Sequence, residues 1–278
     1  MKIFKIFTVG TLSSLLALSY PAFAQENSDL AKQAQNPIAN MISLPFQNNT
    51  NFNFGIDERT QNVLNIQPVW PIKLSDDWNL ITRTIFPVIS QPLPNGDRED
   101  GLADTVFTAF FSPISESTTT WGIGPVVSIP TATEEVLGRD EWGLGASLVV
   151  LTQPGDWVIG SLFSQIWSLE DSTRPAEGIG QGQNKAINLF TWQYFINYNI
   201  PGGDGLYLTS APIITRDREA PSGNQWTVPI GIGIGVGKVT KFGKQPVNGS
   251  IQAYYNVEKP EFGSDWQLRL QLQFLFPK

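Results

Sequence analysis

The stretch that decides the fold is Trp266-Gln-Leu-Arg-Leu-Gln-Leu-Gln-Phe-Leu-Phe276. Trp266, Leu268, Leu270, Leu272, Phe274 and Phe276 fall on one face, and Gln267, Arg269, Gln271 and Gln273 on the other, with Leu275. A period of two is the signature of a strand with two unlike faces. Working outward, residues 226–237 repeat the pattern. Trp226, Val228, Ile230, Ile232, Ile234 and Val236 alternate with Thr227, Pro229, Gly231, Gly233, Gly235 and Gly237.

The same reading predicts strands near 50–58, 61–71, 77–89, 103–112, 119–130, 141–153, 156–168, 186–199, 205–216, 225–238, 246–257 and 265–276. Most are longer than the roughly 5–6 residues of ordinary globular strands. They suit the ~9–11 residues a strand needs to cross a bilayer. No long helical pattern separates them, which argues against parallel βαβ units. Short turns are expected near 72–76, 113–118, 154–155 and 200–204, and longer loops near 90–102, 131–140, 169–185 and 217–224. Outer-membrane barrels show that alternation of short periplasmic turns and long external loops.

Composition narrows the chemistry. The 278 residues are 41% apolar but only 15% charged, against about 25% charged in average soluble domains. A mean hydropathy of −0.10 is too low for a bundle of membrane helices. The chain has no His and no Cys, which removes Ser-His-Asp triads, thiolate nucleophiles, and His- or Cys-ligated metals. No cofactor or metal site is expected, and the chain reads as a non-enzyme.

Residues 1–24 read as a secretory signal peptide. Lys2 and Lys5 precede the apolar run Ile6–Leu18, and Ala22-Phe23-Ala24 is an A-x-A cleavage site. Their removal takes away two lysines and no acidic residue, moving the formal charge from −7 to −9. That balance argues against a nucleic-acid partner. Residues 25–48 are polar, with a short helix expected over Asp29–Gln35 that Pro37 ends. They form a periplasmic or plug segment ahead of a barrel spanning 49–278.

Alternation alone is shared by soluble sandwiches and membrane barrels. Tryptophan placement separates them. Trp70, Trp78, Trp121 and Trp157 sit beside the short turns, and Trp142, Trp167, Trp226 and Trp266 beside the longer loops; Trp192 alone is mid-strand. Aromatic side chains collect at both membrane interfaces. The expectation is therefore an all-β chain: one antiparallel transmembrane barrel of about twelve strands in the outer membrane of a Gram-negative bacterium.

Several stretches carry a family likeness: AKQAQNPIANMISLPFQNNTNFNFG from Ala31, TQNVLNIQPVWP from Thr60 and DWNLITRTIFPVISQP from Asp77. Others are WGIGPVVSIPTAT from Trp121, INYNIPGG from Ile196, YLTSAPIIT from Tyr207, GKQPVNGSIQAYYNV from Gly243 and DWQLRLQLQFLFPK from Asp265. The chain resembles a bacterial outer-membrane family catalogued under the MetA pathway of phenol degradation, whose members are often labelled simply "transporter". The resemblance implies an outer-membrane β-barrel and brings no catalytic residues. Its partners would be outer-membrane lipid, the barrel-assembly machinery and a small-molecule solute.

Candidate lumen-lining residues follow from the polar faces. Arg83 and Arg269 are charged. They would either set a positive field for an anionic or polar solute or pair with an inward carboxylate such as Asp104. Gln193, Asn197, Gln252, Asn256 and Gln271 give an uncharged polar lining. The Gly231-Ile-Gly-Ile-Gly-Val-Gly237-Lys238 run lacks the Walker spacing. Gly231, Gly233 and Gly235 read instead as a bare, accommodating stretch of lumen wall. Eight-stranded barrels are filled by side chains, whereas 16–18 strands leave an aqueous channel. Twelve strands should give a narrow path for small solutes, hydrophobic or aromatic ones among them, that residues 25–48 occlude. The alternative is a barrel with a structural or surface-binding role and no transport.

Overall fold

A computed structural model describes residues 20–115, 117–170, 186–230 and 235–277, with side chains from residue 26 onward. Helix α1 spans Tyr20–Ala34. Twelve staves follow. They are β1 (Ile42–Phe54), β2 (Arg59–Ile66 continuing as Val69–Lys73), β3 (Trp78–Pro92) and β4 (Arg98–Leu102 continuing as Thr105–Pro113). Next are β5 (Thr119–Ile129), β6 (Gly143–Thr152), β7 (Trp157–Ser168) and β8 (Asn188–Asn199). The last four are β9 (Leu206–Ser210 and Ile213–Asp217), β10 (Trp226–Ile230 and Gly235–Phe242), β11 (Gln245–Glu258) and β12 (Trp266–Phe276).

Each stave pairs antiparallel with its sequence neighbours. The sheet closes where β12 meets β1, in register from Ile42 opposite Phe276 to Phe52 opposite Trp266. Among the described strands closure leaves no free sheet edge, a requirement in hydrocarbon because no water is present to satisfy backbone polar groups. The fold is a closed twelve-stranded antiparallel barrel with one short helix.

The faces follow the alternation. On β12, Trp266, Leu270, Leu272 and Phe276 point outward and are 41–45% exposed, whereas Arg269, Gln273 and Leu275 are buried inside. Two aromatic girdles ring the outside. Trp78 meets Trp121 edge-on at 6.0 Å and Trp157 meets Tyr198 at 4.7 Å beside the short turns. Tyr255 meets Trp266 at 4.8 Å beside the longer loops. Mid-strand Trp192 also faces outward, stacked on Phe163.

Three boundaries differ from the sequence expectation. The first stave begins at Ile42 rather than near residue 50, so the barrel does not start at 49. Its first half, Ser43-Leu-Pro-Phe-Gln47, alternates as cleanly as any other strand once paired to β12, but Pro45 and a run of Asn masked it. The loop expected over 90–102 shrinks to 93–97, because Arg98–Leu102 extends β4 upward along β3. The helix expected over 29–35 is longer and ends at Ala34. It includes Ala22–Ala24, so cleavage there would leave its Gln25–Ala34 portion.

Candidate solute path

At the short-turn end of the barrel the chain's own N-terminal segment packs against the interior wall. After α1 the chain turns sharply: the Asn36 side chain accepts the Ile38 N–H at 2.9 Å, an Asx turn that Pro37 favours. The segment is seated at two points. Leu30, Ala31 and Met41 pack against Tyr207, Val239 and Leu275. Ile38, only 4% exposed, enters a nest formed by Ile81, Phe110, Val149, Leu151, Val158, Leu162 and Phe195.

Polar ties complete the seat. The Gln35 and Asn199 amides exchange hydrogen bonds at 2.9 and 3.2 Å. Gln153 donates to the Lys32 carbonyl at 3.3 Å. Lys241 meets Glu26 at 2.7 Å, and Asn27 donates to Asp204 at 2.6 Å.

The apolar nest was not legible as lumen wall. Near the short turns, both faces of Leu148-Val-Val-Leu151 and Val158-Ile159 are apolar, so the period-two contrast fades there. That fading was itself the available signal of something apolar inside.

Between the N-terminal segment, which lines it from Gln33 to Met41, and the barrel wall lies a cavity of about 150 Å³. Gln193, Asn197, Gln252, Gln271 and Arg83 of the expected lining residues border it, beside apolar Val69, Leu162 and Phe195. Asn256 also points inward, but near the outer rim, where it donates to the Ser264 carbonyl at 2.6 Å. A second, wider cavity of about 870 Å³ opens between the longer loops. Its wall is largely apolar, with Phe54, Ile56, Leu93, Val136, Leu137 and Phe262. Along the strands, Asn49, Asn65, Tyr254 and Arg269 lie between the residues lining the two cavities.

Neither arginine pairs with Asp104. That carboxylate accepts the backbone N–H groups of Ala132 (3.2 Å) and Arg139 (2.6 Å), so it holds the 130–142 loop. Arg139 in turn pairs with Asp217, which ties the same loop to β9. Arg269 is pinned instead by Asn49 (2.9 Å), the Ala211 carbonyl (2.7 Å) and Gln267 (3.1 Å), with its guanidinium 5.0 Å from the Tyr254 ring centre. Arg83 donates to Gln67.

The bare glycine wall is corrected where it is described. Gly235 lies against Gln252 and Gly237 under the Tyr207 ring. A Cβ added at either would fall 2.3 Å from the Gln252 side chain or 2.2 Å from Tyr207 Cζ. Tyr207 sits directly opposite Gly237 in register, an aromatic ring covering a cross-strand glycine. These glycines therefore admit a neighbouring side chain rather than a solute. Gly231 and Gly233 lie outside the described residues.

A closed barrel with an apolar exterior, two aromatic girdles and a cavity-bearing interior defines the class: a membrane β-barrel of the outer-membrane type. One comparison with a solved structure agrees on that fold. The chain is similar to an outer-membrane channel from Pseudomonas putida F1, at 14% identity and TM-score 0.62, over 85% of this chain and 94% of that one. Weaker likenesses reach the β-domain of the Bordetella autotransporter BrkA (10% identity, TM-score 0.45, 85% and 99% covered). Another is the outer-membrane phospholipase A of Escherichia coli (9%, 0.41, 89% and 98%). No sequence-family profile and no curated protein matches the chain.

Proposed function

We propose that the protein is an outer-membrane channel for small solutes, closed in this state by its own N-terminal segment. The observation that carries the reading is the order of features along the barrel axis. An apolar external mouth leads toward an inner cavity that is walled in part by a peptide plug seated on non-covalent contacts. A barrel needed only as a membrane anchor has no use for a cavity beside a removable plug. The fold of the Pseudomonas putida channel supports the reading, as does the sequence resemblance to the phenol-degradation family. The mouth's apolar wall suits hydrophobic or aromatic solutes.

In this reading residues 1–24 are cleaved on export and the barrel sits in the outer membrane of a Gram-negative bacterium. Its partners are lipid, the assembly machinery and its solute, and it catalyses no reaction. The test is conductance of the purified mature protein in planar bilayers, with and without residues 26–39. Larger, longer openings in the truncated protein support a plugged channel. Silence of both proteins, with the barrel folded, would favour the structural or surface-binding role instead.

A further inference from the structure

Two arginines face the interior of the spanning region, and their surroundings differ. Arg269 is 2% exposed, and its donors are spread over three acceptors and a tyrosine ring. It is built into the wall. Arg83 is only partly buried, opens onto the inner cavity and meets one acceptor, Gln67.

A guanidinium carries five N–H donors and is always charged, so most of Arg83's capacity remains. Among the described residues Arg83 forms no ion pair, and the cavity lining contains no aspartate or glutamate. The lining is rich in amides, which solvate a charge but do not neutralise it. A cation partly withdrawn from water without a counter-ion attracts an anion far more strongly than the same charge at an open surface.

The wall beside Arg83 is apolar. Val69 is its direct cross-strand partner, and Leu162 and Phe195 border the same cavity. The cavity is small, about 150 Å³ against about 300–1,000 Å³ for typical ligand sites, so only a small occupant fits.

We propose that this cavity binds small monocarboxylates with an apolar body, held by a charge-assisted bond from Arg83 to the carboxylate. The body then lies along Val69, Leu162 and Phe195, and the lining amides take the remaining polar contacts. A second carboxylate on the ligand would find no second free cation, so dicarboxylates are disfavoured. This deepens the channel reading and rests on the cavity lying on the solute path.

The experiment measures binding of benzoate, benzyl alcohol and phthalate to the purified mature protein in detergent by calorimetry. Benzoate should bind at least tenfold more tightly than either of the others. Arg83→Gln should weaken benzoate at least tenfold and leave benzyl alcohol unchanged. Gln67→Glu, which keeps Arg83 and supplies an internal counter-charge, should expel benzoate likewise, and it serves if Arg83→Gln fails to fold. Equal binding of benzoate and benzyl alcohol, or retention of benzoate in both variants, overturns the site. Arg83-dependent benzoate binding by a protein that never conducts overturns the channel reading and leaves the site standing. Conductance without benzoate preference does the reverse.

Discussion

In the proposed plugged channel, Ile38 is the residue on which the closed state turns, and Ile38→Ala is the change that measures it. The side chain sits 4% exposed among seven inward apolar residues, and nothing covalent holds it there beyond its tether to β1. Buried Ile or Leu truncations to Ala cost about 2–5 kcal/mol, more where the site cannot collapse. This nest borders a cavity, so neighbours and solvent relax into the gap and the lower half, about 2–3 kcal/mol, applies. The loss falls on the equilibrium between seated and released plug rather than on the barrel, whose strands keep every pairing. At 1.4 kcal/mol per tenfold, release should become roughly 30- to 150-fold more favourable. Single-channel recording reads this as a matching rise in the open-to-closed ratio, while heat-modifiability on gels stays normal. Because the chain contains no cysteine, Ile38→Cys adds an independent readout. Maleimide should label it slowly in the intact seat and faster after a second seat residue, Leu30, is truncated. The truncation control must stop before Ile42, which pairs with Phe276. Wild-type conductance from both Ile38→Ala and the 26–39 deletion would refute the plug.

Three further outcomes follow from the same geometry. Leu270→Arg, on the lipid face, should cost roughly 2–4 kcal/mol in folding into liposomes if it lies near the bilayer midplane, and Gln271→Arg, facing the lumen, far less; equal costs would contradict the inward–outward assignment. Gly237→Ala places a methyl group against the Tyr207 ring and should destabilise by about 1–3 kcal/mol, whereas Gly237→Ala with Tyr207→Ala should recover part of that loss in a double-mutant cycle. At the external rim, the Lys259 ammonium (2.6 Å) and then the Asn53 amide hold the Asp265 carboxyl below its ordinary range. A depressed folded pKa means the interaction is present above the unfolded value and fades as pH falls through the folded one. Loop 259–265 should therefore gain protease sensitivity only under strongly acidic conditions, and Asp265→Asn should show that sensitivity at neutral pH.

Much of the barrel was legible before any coordinates. The face assignment of Trp266–Phe276, the even number of staves, the alternation of short turns with longer loops and the two tryptophan girdles are local properties. Each depends only on period two and on which residues suit an interface. The misplaced first stave shows the limit. Asn48–Asn51 is a poor strand by propensity, and it becomes one because β12 and β2 supply partners on both sides, with Asn48 and Asn62 exchanging amide hydrogen bonds.

The sequence by itself determined that Arg83 and Arg269 face inward, because their strands alternate. It left their roles alike, since a one-dimensional pattern says nothing about what lies across a lumen. Tertiary structure separated them. Barrel closure brings Asn49 beside Arg269, and the curl of the wall brings Ala211 within reach, while Asp104 is drawn off by the 130–142 loop and Arg83 is left facing a cavity with no acid in its lining. The same holds for Ile38 and for Gly237. Their neighbours are set by which strands the closed sheet places opposite one another, and that depends on register summed around twelve strands, a quantity no single segment contains.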